Sequence, residues 1–137
     1  GGLLRPVTEL LRFRVWANAP VARDDVSVAQ ALAEAEKTAR RPGALLLIDA
    51  AGKLSGIFTD GDLRRLVLKG DALDQPISGV MTRHPRSLPD TALGRAAVAL
   101  IREHRADEIP IVRADGTPAG LLDVQDLISA RLVSDQP

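Results

Sequence analysis

Apolar residues recur at three- and four-residue spacing in two stretches of the chain, Val28, Ala31, Leu32 and Ala35, then Leu93, Ala96, Ala97, Leu100 and Ile101. That is the period of a helix burying one face. Ser27 with Gln30 has the spacing of a capping box ahead of the first. Asp90 or Thr91 offers a side-chain oxygen to the free N–H groups opening the second. Each helix is followed by a short unbroken apolar run, Ala44 to Ile48 and Ile109 to Val112. Runs this brief predict strands covered on both faces. Ala50-Ala51-Gly52 and Ala114-Asp115-Gly116 place a glycine where a tight connection needs positive φ, so each strand turns back as a hairpin. A closing helix is predicted in each half, with Leu63, Leu66 and Val67, then Leu127, Ile128 and Leu132, on one face.

The two halves are copies. Val15 to Leu32 aligns without a gap with Val80 to Ala97, 65 residues on, and Leu45 to Leu63 lies over Ile109 to Leu127, 64 residues on, so one loop residue has been lost. Pro20 falls on Pro85, Asp25 on Asp90, Ala31 on Ala96, Gly52 on Gly116, Gly56 on Gly120 and Asp62 on Asp126. The expected organisation is a first unit over 15–68, a linker over 69–79 marked by Gly70, Pro76 and Gly79, and a second unit over 80–132, with a tail over 133–137. Residues 1–14 read as a connection, either a short amphipathic helix through Thr8, Leu10 and Leu11 or the end of an upstream segment. Units this small bury too little apolar surface to stand alone, so they should pack together. The fold class is α/β (α+β), two units of strand, helix, strand, strand, helix in a pseudo-two-fold pair.

Composition narrows the chemistry. The 137 residues carry 18 Lys plus Arg against 18 Asp plus Glu, so no basic excess drives counterion release on nucleic acid. There is no Cys, which excludes disulfides, thiolate metal sites and Cys nucleophiles, and two His leave little scope for imidazole chemistry. No apolar run approaches the roughly 20 residues of a bilayer span, and the start lacks the apolar core of a signal peptide, so a cytoplasmic protein is expected. The abrupt opening at Gly1-Gly2 reads as a piece of a longer chain.

The duplicated unit, with Gly56-Ile57-Phe58-Thr59-Asp60-Gly61-Asp62 opening its last helix and Val80-Met81-Thr82-Arg83-His84-Pro85 opening its second copy, resembles a tandem CBS (cystathionine-β-synthase-type) domain pair over nearly the whole chain. More narrowly, it resembles the C-terminal regulatory region of bacterial arabinose 5-phosphate isomerases, sugar isomerases of Kdo biosynthesis. The resemblance implies two clefts that bind adenosine or other nucleotides, and homodimers. It also implies that the isomerase domain is missing from this chain, which then carries no catalytic residue and no catalytic cofactor. The ligand is expected to be AMP, ATP or a CMP-type nucleotide or nucleotide sugar, with neither nucleic acid nor membrane as partner.

The motif has its own physical logic. Asp62, an ionised carboxylate in the first turn of a helix, can accept from both hydroxyls of a ribose, and Thr59 can donate to phosphate. The helix start favours an anion, Gly61 lets the backbone come close, and Gly43, Ala44 and Leu45 would lie against the base. The alternative is that Thr59 and Asp62 only cap the helix. In the second copy Asp126 keeps the ribose position, but Asp123 replaces the threonine and Gln125 the glycine, so a phosphate there would be repelled. A metal on Asp123 and Asp126 is disfavoured against solvated caps. Arg83 and His84 either meet a ligand in the cleft or are exposed turn residues. His104, Arg64 and Arg65 read as ordinary helix-surface groups, and Trp16 as core or interface. Two readings therefore stand: a nucleotide-sensing regulatory pair, attached to an isomerase, another enzyme or a transporter, and a ligand-free assembly module.

Overall fold

The computed structural model describes residues 2–37 and 42–133. Its helices are α1 (Val7–Leu10), α2 (Val28–Ala35), α3 (Asp60–Lys69), α4 (Gly94–His104) and α5 (Val124–Ser129). Its strands are β1 (Phe13–Arg14), β2 (Val21–Arg23), β3 (Ala44–Ile48), β4 (Leu54–Thr59), β5 (Thr82–Arg83), β6 (Leu88–Pro89), β7 (Glu108–Val112) and β8 (Pro118–Asp123). The mixed α/β class and the repeating unit are as the hydrophobic pattern predicts. No helix among the described residues is long and apolar enough to cross a membrane.

The strands form two four-stranded sheets, in the orders β2-β3-β4-β5 and β1-β8-β7-β6. Each sheet borrows its last strand from the other half of the sequence. β5, which opens the second repeat, pairs antiparallel with β4, and β1 pairs antiparallel with β8. Glycine makes this possible. A Cβ on Gly120 would stand 2.5 Å from the Phe13 carbonyl oxygen, and one on Gly56 2.6 Å from Met81 Sδ and 2.9 Å from the Thr82 carbonyl oxygen.

The central strands are buried on both faces, so one apolar run serves two cores. Ala44 and Leu46 of β3 face Phe13, Val15, Ile57 and Leu121 between the sheets, while Leu45 and Leu47 pack with Val28, Ala31, Phe58 and Leu66 under the helices. A third cluster gathers Val7, Leu10, Leu11, Ala97, Ile109, Leu122 and Leu127. Each fully buried Leu or Ile contributes about 1.5–3 kcal/mol. The segment over 1–14 supplies part of this core: Val7 N–H donates to the Ala92 carbonyl at 2.8 Å, as Ile77 N–H donates to that of Val26 at 2.9 Å. The stretches on either side of the first unit are thus structural counterparts.

Several sequence expectations need correction. Asp24 and Asp90, not Asp25 and Asp90, are equivalent, since their N–H groups donate to Ile48 and Val112 respectively at 2.9 Å. The spacing between copies is therefore 66 before the first strand pair and 64 after it, a loss of two residues rather than one. A gapless alignment follows side-chain type, whereas equivalence is set by backbone pairing. The second helix begins at Gly94 behind Leu93, which makes no side-chain cap, so neither Asp90 nor Thr91 caps it. Val67 is 60% exposed and lies off the buried face of α3, and Trp16, at φ 67° and 79% exposed, is not in the core. Leu132 lies beyond the end of α5 but still packs against the third cluster. Of the tail, residues 134–137 lie outside the described residues, as does Gly1.

Candidate functional site

β4 ends at Thr59 and runs straight into α3, so the motif residues sit at the junction of strand end and helix start. There Thr59 and Asp62 form a reciprocal capping box. Asp62 N–H donates to Thr59 Oγ1 at 3.1 Å and Thr59 N–H to Asp62 Oδ2 at 2.8 Å. The other carboxylate oxygen, Oδ1, takes a hydrogen bond from Arg65 one turn on. Two orphan donors of the helix start are thereby satisfied. Arg65 is 64% exposed, so its hold on Asp62 is that of a solvated surface pair and is readily exchanged.

Beside the box lies a pocket of about 140 Å³. Leu32, Ala35, Leu45, Phe58 and Leu63 give it apolar walls, Pro20, Pro42 and Ala44 line it at the strand starts, and Glu36, Thr59 and Asp60 supply its polar lining. Ala44 pairs with Thr59 and Leu45 with Phe58, which brings the two parts of the motif together across the sheet. Gly43 is tied in through its carbonyl, which accepts from Asp60 N–H at 2.9 Å. A Cβ on Gly61 would meet Thr59 Oγ1 at 3.6 Å and Arg65 Nη1 at 3.7 Å, ordinary contacts within the chain.

Thr59 also borders a second groove of about 240 Å³, shared with Ile57, Thr82, Arg86, His104, Asp107 and Glu108. Arg83 points away from it and donates to the Ser78 carbonyl at 3.0 Å. His84, at φ 47°, lines a separate depression with Lys53, Leu54, Ser87 and Gly116. The structure therefore groups Gly43, Ala44, Leu45, Thr59 and Asp62, and leaves Arg83 and His84 outside.

In the second copy the equivalent positions close on themselves. Asp123 and Asp126 form the same box, with N–H···O distances of 3.0 Å in both directions. Asp126 is only 2% exposed. Arg12 Nε donates to Asp126 Oδ1, and Arg12 Nη2 to Asp123 Oδ1 at 3.2 Å. Burial pushes the Asp126 carboxyl above its usual range while the Arg12 hydrogen bond pulls it back, and the same bond raises the Arg12 guanidinium.

Two residues escaped the sequence reading. Arg12 lies in a segment read as a connection. Glu108 lies where the first copy has Ala44, and a carboxylate in an otherwise apolar strand start was the available signal. Partial burial first, then the carboxylates of Asp107, Asp123, Asp60 and Asp62, lift Glu108 to about 7.

The CBS domain family model matches residues 11–69 and 77–133. Among curated proteins, the chain is 36% identical over 96 residues to arabinose 5-phosphate isomerase KdsD of Pseudomonas aeruginosa, covering 69% of this chain and 29% of that one. It is 30% identical over 107 residues to arabinose 5-phosphate isomerase GutQ of Escherichia coli K12, covering 78% and 33%. The chain thus spans about a third of the length of these relatives. Among solved structures it resembles CBSX2 in complex with AMP, with a TM-score of 0.77, 25% identity and coverage of 93% and 96%. CBSX2 is a CBS-pair protein of Arabidopsis thaliana. The CBS domain protein PAE2072 of Pyrobaculum aerophilum, complexed with AMP, shares the fold at a TM-score of 0.77 and 20% identity, over 93% and 97% of the two chains.

Proposed function

The chain belongs to the CBS domain family as a tandem pair, and from that premise we propose that it is a regulatory module binding one nucleotide in its first cleft. The observation that carries the reading is the apolar pocket between β3, β4 and the start of α3, with Thr59 and Asp60 in its lining. A base slides between Leu45, Phe58 and Leu63, where backbone groups at Gly43 and Ala44 meet its edge. Thr59 has its oxygen engaged by Asp62 N–H yet keeps its hydroxyl hydrogen for a phosphate or ribose oxygen. Asp62 accepts the ribose hydroxyls on the oxygen that Arg65 now holds, and Arg65 swings into solvent or onto the phosphate.

The curated relatives support placing this module in the polypeptide of a sugar-phosphate isomerase of the arabinose 5-phosphate class; a cytoplasmic location and a homodimer belong to the same proposal. Catalysis belongs to that attached domain. Binding regulates it only if the nucleotide favours one arrangement of the two units over another. AMP bound to two CBS-pair neighbours makes an adenine nucleotide the first ligand to test, with CMP and cytidine nucleotide sugars next. Titration calorimetry with AMP, ATP, CMP and a cytidine nucleotide sugar tests the proposal. One site per chain is expected, lost in Asp62→Asn, which preserves an acceptor for Thr59 N–H. Absence of heat and of thermal stabilisation with every ligand overturns it.

A second reading, the ligand-free assembly module, draws on the complete capping box and on exposed Leu68 and Val67 along α3. Sedimentation of the chain, and of Leu68→Glu, separates it from sensing.

A further inference from the structure

Backbone pairing identifies Arg12 as an extra residue in the duplicated design. Phe13 of β1 stands opposite Leu121 as Thr82 of β5 stands opposite Ile57. One step back, Leu11 approaches Gly120 as Met81 approaches Gly56. Met81 and Thr82 are adjacent, whereas Leu11 and Phe13 have Arg12 between them. Among the described residues the first cleft has no counterpart of Arg12, and the cation on its Asp62 is the exposed Arg65 of the same helix.

The inserted side chain goes to the ligand motif of the second cleft. Its Nε and Nη2 reach both motif carboxylates, Asp126 and Asp123, and it spans 114 residues of sequence to do so. The Asp126 side chain is fully buried beneath it. The guanidinium lies 5.8 Å from the Phe13 ring centroid, and the Arg12 carbonyl accepts from Asn18 Nδ2 at 2.6 Å, so backbone and side chain are both fixed. A guanidinium thus presents two N–H donors to the acidic pair at which the first cleft, on the reading above, offers its single aspartate to two ribose hydroxyls.

We infer that Arg12 is an intrachain ligand of the second cleft, occupying Asp126 in place of an external nucleoside, so that the chain takes one nucleoside ligand and not two. The inference rests on the nucleoside-binding reading of the clefts. Because Asp123 and Glu108 repel phosphate, the external ligand that Arg12 displaces is an uncharged nucleoside.

The test is calorimetry with adenosine on the full chain and on Arg12→Met, which keeps a long unbranched side chain without the guanidinium, with Arg12→Gln as a second variant of smaller apolar area. Cooperative melting of each variant establishes that it is folded. Either folded variant is expected to bind one more equivalent of adenosine than the unsubstituted chain, and methylguanidinium is expected to suppress that added equivalent by refilling the place of Arg12. The same stoichiometry in the unsubstituted chain and the folded variants overturns the inference. So does an added equivalent indifferent to methylguanidinium. If the unsubstituted chain binds none and Arg12→Met binds one, the first-cleft reading fails while the occupation of the second cleft by Arg12 stands. One equivalent in both leaves the first cleft and removes the inference.

Discussion

Glu108 lies against Gly43: its Oε1 is 2.7 Å from the point a Cβ on that glycine would occupy. The start of β7 therefore meets the start of β3 through a carboxylate on one side and a missing side chain on the other. Partial burial and four neighbouring carboxylates lift Glu108 to about 7 from an ordinary 4.5. A group whose folded-state pKa is raised makes the native state the better proton binder between those values. Stability from this source is full below about pH 4.5, falls as pH rises through 7, and is lost above it. Glu108→Gln should flatten that slope and stabilise the protein at pH 8 by on the order of 1 kcal/mol, after allowance for solvent screening. Urea melts at pH 5 and pH 8 measure it, and an equal effect at both would remove the carboxylate from the account.

The borrowed strands predict sensitivity at two glycines. At Gly120 a Cβ would stand 2.5 Å from a backbone oxygen, which cannot swing aside as a side chain can. Gly120→Ala should destabilise by more than about 2 kcal/mol. Gly56→Ala meets flexible Met81 first, but then the Thr82 carbonyl oxygen at 2.9 Å, and should be somewhat milder. Chemical denaturation of both variants checks the order. Tolerance of alanine at both positions would contradict the pairing of β1 with β8 and of β5 with β4.

The capping boxes separate folding from binding. Thr59→Val keeps the shape but removes the oxygen that accepts from Asp62 N–H, and should cost about 1 kcal/mol. Thr59→Ser should stay near zero. Asp123→Ala should cost more than Thr59→Val, because Arg12 loses a partner along with the cap. Thermal denaturation of the three variants supplies the ranking.

Burial distinguishes residues that look alike in sequence. Leu46→Ala, in the core between the sheets, should cost about 2–5 kcal/mol. Val67→Ala, on the exposed side of α3, should stay within about 0.5 kcal/mol. Equal losses would mean that Val67 is covered in solution by another chain.

Much of this was legible because local patterns answer to local physics. Ala44 to Ile48 had no polar position to turn toward water, and the strand is covered on both faces. Ser27 with Gln30 had the spacing of a capping box and forms one, with distances of 2.9 and 3.1 Å. The Thr59 and Asp62 cap was equally readable, being a contact over three residues. Arg83 and His84 were grouped with the motif on resemblance, and nothing local could show that Arg83 turns to Ser78 while His84 follows a positive-φ turn.

By itself, the sequence determined the class of fold, the duplication, the caps of α2 and α3 and the motif at the start of α3, because periodicity, capping and turn chemistry act over a few residues. Only the tertiary structure decided which sheet each short strand joins, that equivalence runs through Asp24 and not Asp25, and that Glu108 faces Gly43. It also decided that the two motif sites differ. Arg12 reaches Asp126 across 114 residues of chain, and such a pairing has no period, spacing or composition to announce it. It exists because folding brings β1 onto β8, where a buried carboxylate is held by a cation from the opposite end of the sequence.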